Sequence, residues 1–387
     1  MIERTLQSPL VNSLKTKSIL LLGPRQTGKS TLIKSLNPDV SFNLAHEKTF
    51  LEFMREPSYL ENVLAELPKK KKTLIFIDEI QKIPRLMNTL QVLIDENKED
   101  YRFILTGSSA RKLKRNKTNM LPGRLHTYEL GSLTSKELEY SLDTNKVLSL
   151  GSLPEIYLEQ DLKSAKKLLK SYATTYLHEE IKAEALTKNL ESFTRFLFKM
   201  AAESSKFLDL SKISRVSAVP RQTTQRFFEI MEDTLIIKRC DAFAKSDKRR
   251  LTQHPRFFFF DTGVVNAMLN NFMPSADRMG FLFETLVFNQ LSTSLAYTDE
   301  DYRISSYRTE AGTEIDFILE LGERLIAIEV KVGGYSDKDL RGFESFQSFV
   351  GKKEIEKIVL VPDKQRSQKT GDIRFLSWQD FLKENDW

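Results

Sequence analysis

The sequence predicts an α/β protein of several domains, and three observations predict it. The first third alternates apolar runs with amphipathic segments, and a glycine-rich loop sits between one run and the next helix. The middle is mostly helical and closes on two strand-like runs. The last part has strands and helices of its own. At 387 residues the chain exceeds what one core usually serves. With 40% hydrophobic and 29% charged residues, it is neither disordered nor collagen-like.

In order, "SILLLG" reads as a strand, Lys29 opens a helix, and "VSFNL", "TLIFIDE" and "YRFILTGSS" read as further strands. Helices run through "LENVLAEL" and "LMNTLQVLI" between them. Strand and helix in alternation imply a parallel sheet covered on both faces. From about residue 135 the pattern turns helical, clearest in "SAKKLLKSYATTYLHEEI". Three further helical segments ("LESFTRFLFKMAAES", "DLSKISRVSA", "RQTTQRFFEIMEDT") precede the strands "LIIKRCDAF" and "RFFFFD", which is the order of a winged helix-turn-helix. The last part runs from the helix "GFLFETLVFNQL" through "YRISSYRT", "EIDFILEL", "LIAIEVKV", a helix, "KIVLVP" and "IRFLSW".

Lys and Arg number 59 against 53 Asp and Glu, a net charge of +6 that permits a nucleic-acid partner without demanding one. The single Cys240 cannot form an internal disulfide, and with four histidines the common Cys/His zinc spacings are excluded. No run approaches the ~20 apolar residues that cross a bilayer, and "MIERTLQSPLVNSLK" lacks a signal-peptide core. A soluble cytoplasmic protein is expected.

"GPRQTGKST" fits G-x-x-x-x-G-K-[ST] with Gly23, Gly28, Lys29 and Ser30, in the required place between strand and helix. Glycines let backbone N–H groups close round phosphates, Lys29 adds charge at the β/γ oxygens, and Ser30 can ligand Mg²⁺. Thr31 is counted with these nucleotide contacts. "TLIFIDE" delivers Asp78 to the C-terminal end of a strand, to hold Mg²⁺ through water. Glu79 is placed to polarise the attacking water, the alternative being a helix-start residue favoured by the dipole. Thr106, at the end of the next strand, is the candidate to reach that water or the γ-phosphate. Arg124 is either an arginine finger acting across a subunit boundary or a solvated or DNA-facing arginine.

"GPRQTGKST", "FIDEIQKIP", "ILTGSS", "GSLPEIY" and "HPRFFFFDTG", in this order, resemble the prokaryotic AAA+ ATPases that join a P-loop domain to a winged helix and a C-terminal nuclease-like domain. "GSLP" is similar to the G-x-P element of ATPases related to the STAND group, which keeps a switch function in view. The resemblance implies an ATPase core at 1–135, a helical lid at 136–187, a winged helix at 188–268 and the nuclease-like domain at 269–387. It also implies ATP and Mg²⁺ as cofactors and a homo-oligomeric ring such as a hexamer.

"IAIEVKVG" alternates an apolar face, Ile326, Ile328, Val330 and Val332, with a face carrying Glu329 and Lys331. Asp316 in "EIDFIL" lies on the preceding strand, and an antiparallel pair brings it near Glu329. Glu284 stands in an otherwise apolar helix, costly unless partnered. Acidic groups and a lysine converging on one point are what metal-dependent phosphodiester cleavage requires. The set Glu284, Asp316, Glu329 and Lys331 resembles the PD-(D/E)xK nuclease core, with Asp316 and Glu329 holding the metal. The alternative is an exposed ion pair on a solvated strand face.

The helix from Arg221 puts Arg221, Gln222, Thr223 and Gln225 in its first turns, where a recognition helix touches DNA. Lys112, Lys114 and Arg115 in "RKLKRNK" add a basic patch, as does "KSDKRR". The expected function is an ATP-hydrolysing DNA-binding protein that remodels or processes duplex or branched DNA. The alternative is a STAND-like signalling switch acting through a protein partner in a defence or toxin system.

Overall fold

The computed structural model describes residues 2–56, 58–68, 72–109, 121–176, 190–207, 209–244, 255–298, 300–333, 337–363 and 368–387. Lys112, Lys114, Arg115 and the "KSDKRR" patch lie outside them. The chain divides into two compact units: residues 1–131 with 233–235, and residues 132–232 with 236–387. Among the described residues no helix is long and apolar enough to cross a membrane.

The first unit is built on strands β1 (Ser18–Leu22), β2 (Val40–Asn43), β3 (Thr73–Asp78), β4 (Tyr101–Gly107) and β5 (Leu125–Glu129). They pair in parallel in the order β2-β3-β4-β1-β5. Unbroken apolar runs suit strands buried on both faces, and Ile19, Leu20, Leu21, Ile75, Ile77, Phe103, Ile104 and Leu105 are buried. Helices Lys29–Ser35, Glu47–Arg55, Tyr59–Ala65 and Leu86–Glu96 connect the strands. β1 lies between β4 and β5, and the C-terminal ends of these strands form the edge where open parallel sheets take ligands.

In the second unit, short helices Thr144–Leu150, Pro154–Leu158 and Leu162–Ser171 come first. Helices Leu190–Ala202, Leu210–Ser217 and Arg221–Asp233 follow, the last two joined by a turn at Ala218 with φ 52°. Phe193, Phe196, Phe227, Phe228 and Phe257 stack edge to face and tilted at their centre, and each buried ring contributes ~2 kcal/mol of apolar transfer.

Strands β6 (Ile237–Ala242) and β7 (Arg256–Phe259) then form an antiparallel pair. That pair is continuous with β8 (Tyr302–Arg308), β9 (Glu314–Leu321), β10 (Arg324–Val330), β11 (Glu356–Val361), β12 (Gln368–Thr370) and β13 (Ile373–Ser377) in one sheet, ordered β12-β13-β11-β10-β9-β8-β6-β7. The join is a parallel pairing, Asp241 with Ser305 and Ala242 with Ser306.

Both faces of this sheet are covered. From β10, Ile326, Ile328 and Val330 enter the core shared with helix Ala276–Leu295, while Leu325 and Ala327 enter a second core with Phe343 and Phe346 of helix Asp337–Val350. The sequence left a solvated face open as the setting of Glu329. Glu329 is instead 4% exposed, because that helix covers its face.

Candidate functional site

The ends of β1, β3 and β4 assemble the first site. Gly28 caps helix Lys29–Ser35 at φ 90°, a conformation open to glycine without strain. A Cβ at Gly23 would lie 2.3 Å from the Leu130 carbonyl oxygen, so only glycine lets the loop lie this close. The Lys29 ammonium donates to the carbonyls of Gly23 (2.7 Å) and Pro24 (2.8 Å), which draws the loop round one positive charge. Ser30 Oγ donates to Asp78 Oδ2 at 2.8 Å. A hydroxyl and a carboxylate so placed are the hard oxygens that Mg²⁺ takes, directly and through water, so the residues fit that ion. Thr31 is exposed on the same first turn.

Thr106 stands at the end of β4, beside Asp78. Fully buried, it donates through Oγ1 to Asp78 Oδ1, which orients the acid. Glu79 adopts φ 61° and ψ 45°, a strained left-handed conformation for a side chain of this kind and common at catalytic positions. Its carboxylate accepts from Gln81 Nε2, which also donates to Ser108 Oγ at 3.0 Å. Gln81 went unread in the sequence. It is buried, and a Cβ at Gly107 would lie 2.7 Å from its Oε1, so the amide packs closely on β4. Arg124 forms a two-pronged pair with Asp95, Nε to Oδ1 at 2.7 Å and Nη2 to Oδ2 at 2.8 Å, and its guanidinium is engaged within its own unit.

In the second unit the strands bring the predicted acids together. Register pairs Phe317 with Ile328, so the next position inward sets Asp316 against Glu329. Their carboxyl groups hydrogen-bond, and Asp316 Oδ2 also accepts from the Val330 N–H at 2.9 Å. Lys331 Nζ lies 3.3 Å from Glu329 Oε2. Burial, then the charge of Asp316, holds the Glu329 carboxyl well above the usual range, with Lys331 opposing. Burial and Asp316 push Glu284 up to about 7 against Arg256.

Arg256, from β7, is the member that sequence reading missed. Its guanidinium donates to Glu284 Oε2, to Asp316 Oδ1 (3.4 Å) and backbone oxygen (3.2 Å), and to the Ser205 carbonyl (2.5 Å). The rings of Phe207, Phe258 and Phe317 lie within cation–π range, at 5.4, 5.1 and 5.6 Å. Burial works against its charge, yet Glu284 and Asp316 hold its pKa above the ordinary arginine value. The four-phenylalanine run "RFFFF" reads as core strand, and no local pattern marks its arginine as a partner for acids up to 60 residues away. Among the described residues no three carboxylate, histidine or cysteine groups converge as a metal cage.

The exposed face of helix Arg221–Asp233 presents Arg221, Gln222 and Gln225, with Thr223 half-buried beside them. Gln225 also reaches Glu229 Oε1 at 3.4 Å.

Two quoted motifs meet at Asp261, which is fully enclosed. Its Oδ1 accepts from the Gly263 and Val264 amides, capping helix Thr262–Met268, and its Oδ2 from the Ser152 amide (2.8 Å) and Ser132 Oγ (3.2 Å). "GSLP" is thereby fastened to "FFDTG".

Residues 15–139 match the model of an AAA domain. Residues 142–275 match a domain of unknown function, DUF8612, and residues 279–381 another, DUF4143. The chain is similar to the uncharacterized protein Rv2008c of Mycobacterium tuberculosis, 25% identical over 320 residues, which is 81% of this chain and 70% of that protein. Mb2031c of Mycobacterium bovis, also uncharacterized, gives the same figures. MJ1544 of Methanocaldococcus jannaschii, likewise uncharacterized, is 21% identical over 352 residues, 83% of this chain and 76% of its own. The first unit thus carries an AAA domain, a nucleotide-binding ATPase module, on a five-stranded parallel sheet.

Proposed function

We propose that the protein is a homo-oligomeric, Mg²⁺-dependent ATPase that binds DNA and couples hydrolysis to remodelling it. The observation that carries this reading is the convergence of Lys29, Ser30, Asp78 and Glu79 at the C-terminal edge of one parallel sheet. Lys29 and the loop amides hold the triphosphate, with Gly23 and Gly28 shaping the loop and Thr31 on its first helical turn. Ser30 and Asp78 would hold the magnesium, which when bound would supply positive charge at the phosphates. Thr106 keeps Asp78 in orientation. Glu79 accepts a proton from the attacking water, and Gln81 fixes where its carboxylate points until then. Arg124 serves as a finger only in an assembly that draws it away from Asp95.

The DNA part rests on three helices followed by an antiparallel strand pair, and on the polar first turns of helix Arg221–Asp233. With this reading goes a division into core (1–135), lid (136–187), winged helix (188–268) and nuclease-like fold (269–387). A second reading, a switch acting through a protein partner, is favoured by the buried Asp261 fastening "GSLP".

The test is Glu79→Gln together with a panel of single-stranded, duplex, forked and four-way DNA. The variant is expected to bind ATP normally and to hydrolyse it at least ~100-fold more slowly, the usual worth of a general base. Wild-type turnover is expected to rise with DNA. Unchanged turnover in the variant would remove Glu79 from the mechanism, and turnover indifferent to every DNA but altered by a protein partner would establish the switch.

A further inference from the structure

We infer that Arg256 occupies the place a divalent cation would need, so that Glu284, Asp316, Glu329 and Lys331 form with it a self-neutralised ion network closed to metal. The expected nuclease-like metal site therefore does not fit the residues present. Each acid already has its cationic or N–H partner. Glu284 Oε2 meets Nη2 of Arg256, Asp316 Oδ1 meets Nη1, Asp316 Oδ2 takes the Val330 amide, and Glu329 Oε2 faces Lys331.

A hard divalent ion wants six or more oxygens and usually keeps several waters. Here the guanidinium itself is closed off, while Glu284 and Lys331 keep 23% and 27% of their side-chain surface exposed. Three phenylalanine rings flank the guanidinium, and Arg256 is only 4% exposed. On the other side, Gly342 of helix Asp337–Val350 lies so close that an added Cβ would sit 3.1 Å from Glu329 Oε1 and 2.4 Å from the Glu314 carbonyl. Helix and strand meet there without space for a hydration shell.

The charge balance points the same way. Two cationic side chains, Arg256 and Lys331, face the three carboxyl groups at salt-bridge distance. A divalent ion added beside Arg256 would meet its positive charge at contact distance. To admit metal, the arginine must leave, and its hydrogen bond to the Ser205 carbonyl and the rings around it hold it in place. The second unit thus keeps strand-borne acids in the order of a nuclease core while an internal cation does the neutralising.

The test uses the full chain without nucleotide, titrated with Mn²⁺ and read by the electron paramagnetic resonance signal of the free ion. Wild type and Asp316→Asn are expected to bind the same amount of Mn²⁺, so the cluster contributes none. Arg256→Gln is expected to gain about one tightly held Mn²⁺ per chain, lost again on adding Asp316→Asn, whereas Arg256→Lys gains none. One Mn²⁺ per wild-type chain abolished by Asp316→Asn would overturn the inference, as would a folded Arg256→Gln that gains none. If Arg256→Gln does not fold, as judged by near-ultraviolet circular dichroism, the comparison of wild type with Asp316→Asn decides alone. None of these readings depends on ATP turnover, so they stand or fall apart from the ATPase assignment.

Discussion

Burial, and the charge of Asp316 beside it, hold the Glu329 carboxyl well above its ordinary value of 4.5. The folded state therefore holds a proton at Glu329 that the unfolded chain releases above its ordinary value of 4.5. A raised acid pKa stabilises fully below that value, and the contribution is lost as pH rises through the folded-state pKa. Wild-type stability should accordingly fall with rising pH from about 5 upward, by at most ~1.4 kcal/mol per pH unit for one proton. Glu329→Gln, which keeps a donor without the titration, should flatten that slope and be the more stable form at pH 8. Urea midpoints at several pH values check this, and parallel slopes for the two proteins would refute it. The phosphate-loop residues were legible because Gly23, Gly28, Lys29 and Ser30 act within one local turn, whose spacing is itself the chemistry. Arg256 and Gln81 were not, because each takes its meaning from a side chain on another strand or across a strained turn.

At the scale of elements, Gly151 shows how tightly the second unit is fastened. It has φ 75° and ψ −171°, a region open to glycine almost alone, and a Cβ there would lie 1.8 Å from Asp261 Oδ1. Gly151→Ala should therefore cost ~3 kcal/mol or more, from backbone strain added to overpacking. Chemical denaturation of the variant checks the value, and a loss below ~1 kcal/mol would mean that Asp261 yields easily. Most helices and strands were readable from period and apolar runs, down to "RQTTQRFFEIMEDT" turning its phenylalanines inward, but the strand Leu125–Glu129 and the helix Glu47–Arg55 were not. The pairing of β6 with β8 was not, since nothing within "RCDAF" indicates a partner some sixty residues later. Nor did "IAIEVKVG" reveal that helix Asp337–Val350 covers its charged side, because a strand's pattern does not specify what packs on it.

For the molecule as a whole, two compact units predict two calorimetric transitions. ATP with Mg²⁺ should raise only the transition of the unit carrying the phosphate loop, by ~2.7 kcal/mol at a hundredfold excess over Kd, which is several degrees. A single transition, or one in which both move together, would show that the units unfold as one. The eight-stranded sheet has a further consequence, for how the chain can be divided. β6, β7 and Arg256 fall in the stretch 142–275, whereas β8 to β13 and all three acids fall in 279–381. A break between these stretches would leave a buried guanidinium on one side and Glu284 without its cation on the other, each beside a severed sheet edge. The two stretches, separate in sequence, therefore complete one sheet and one ion network between them.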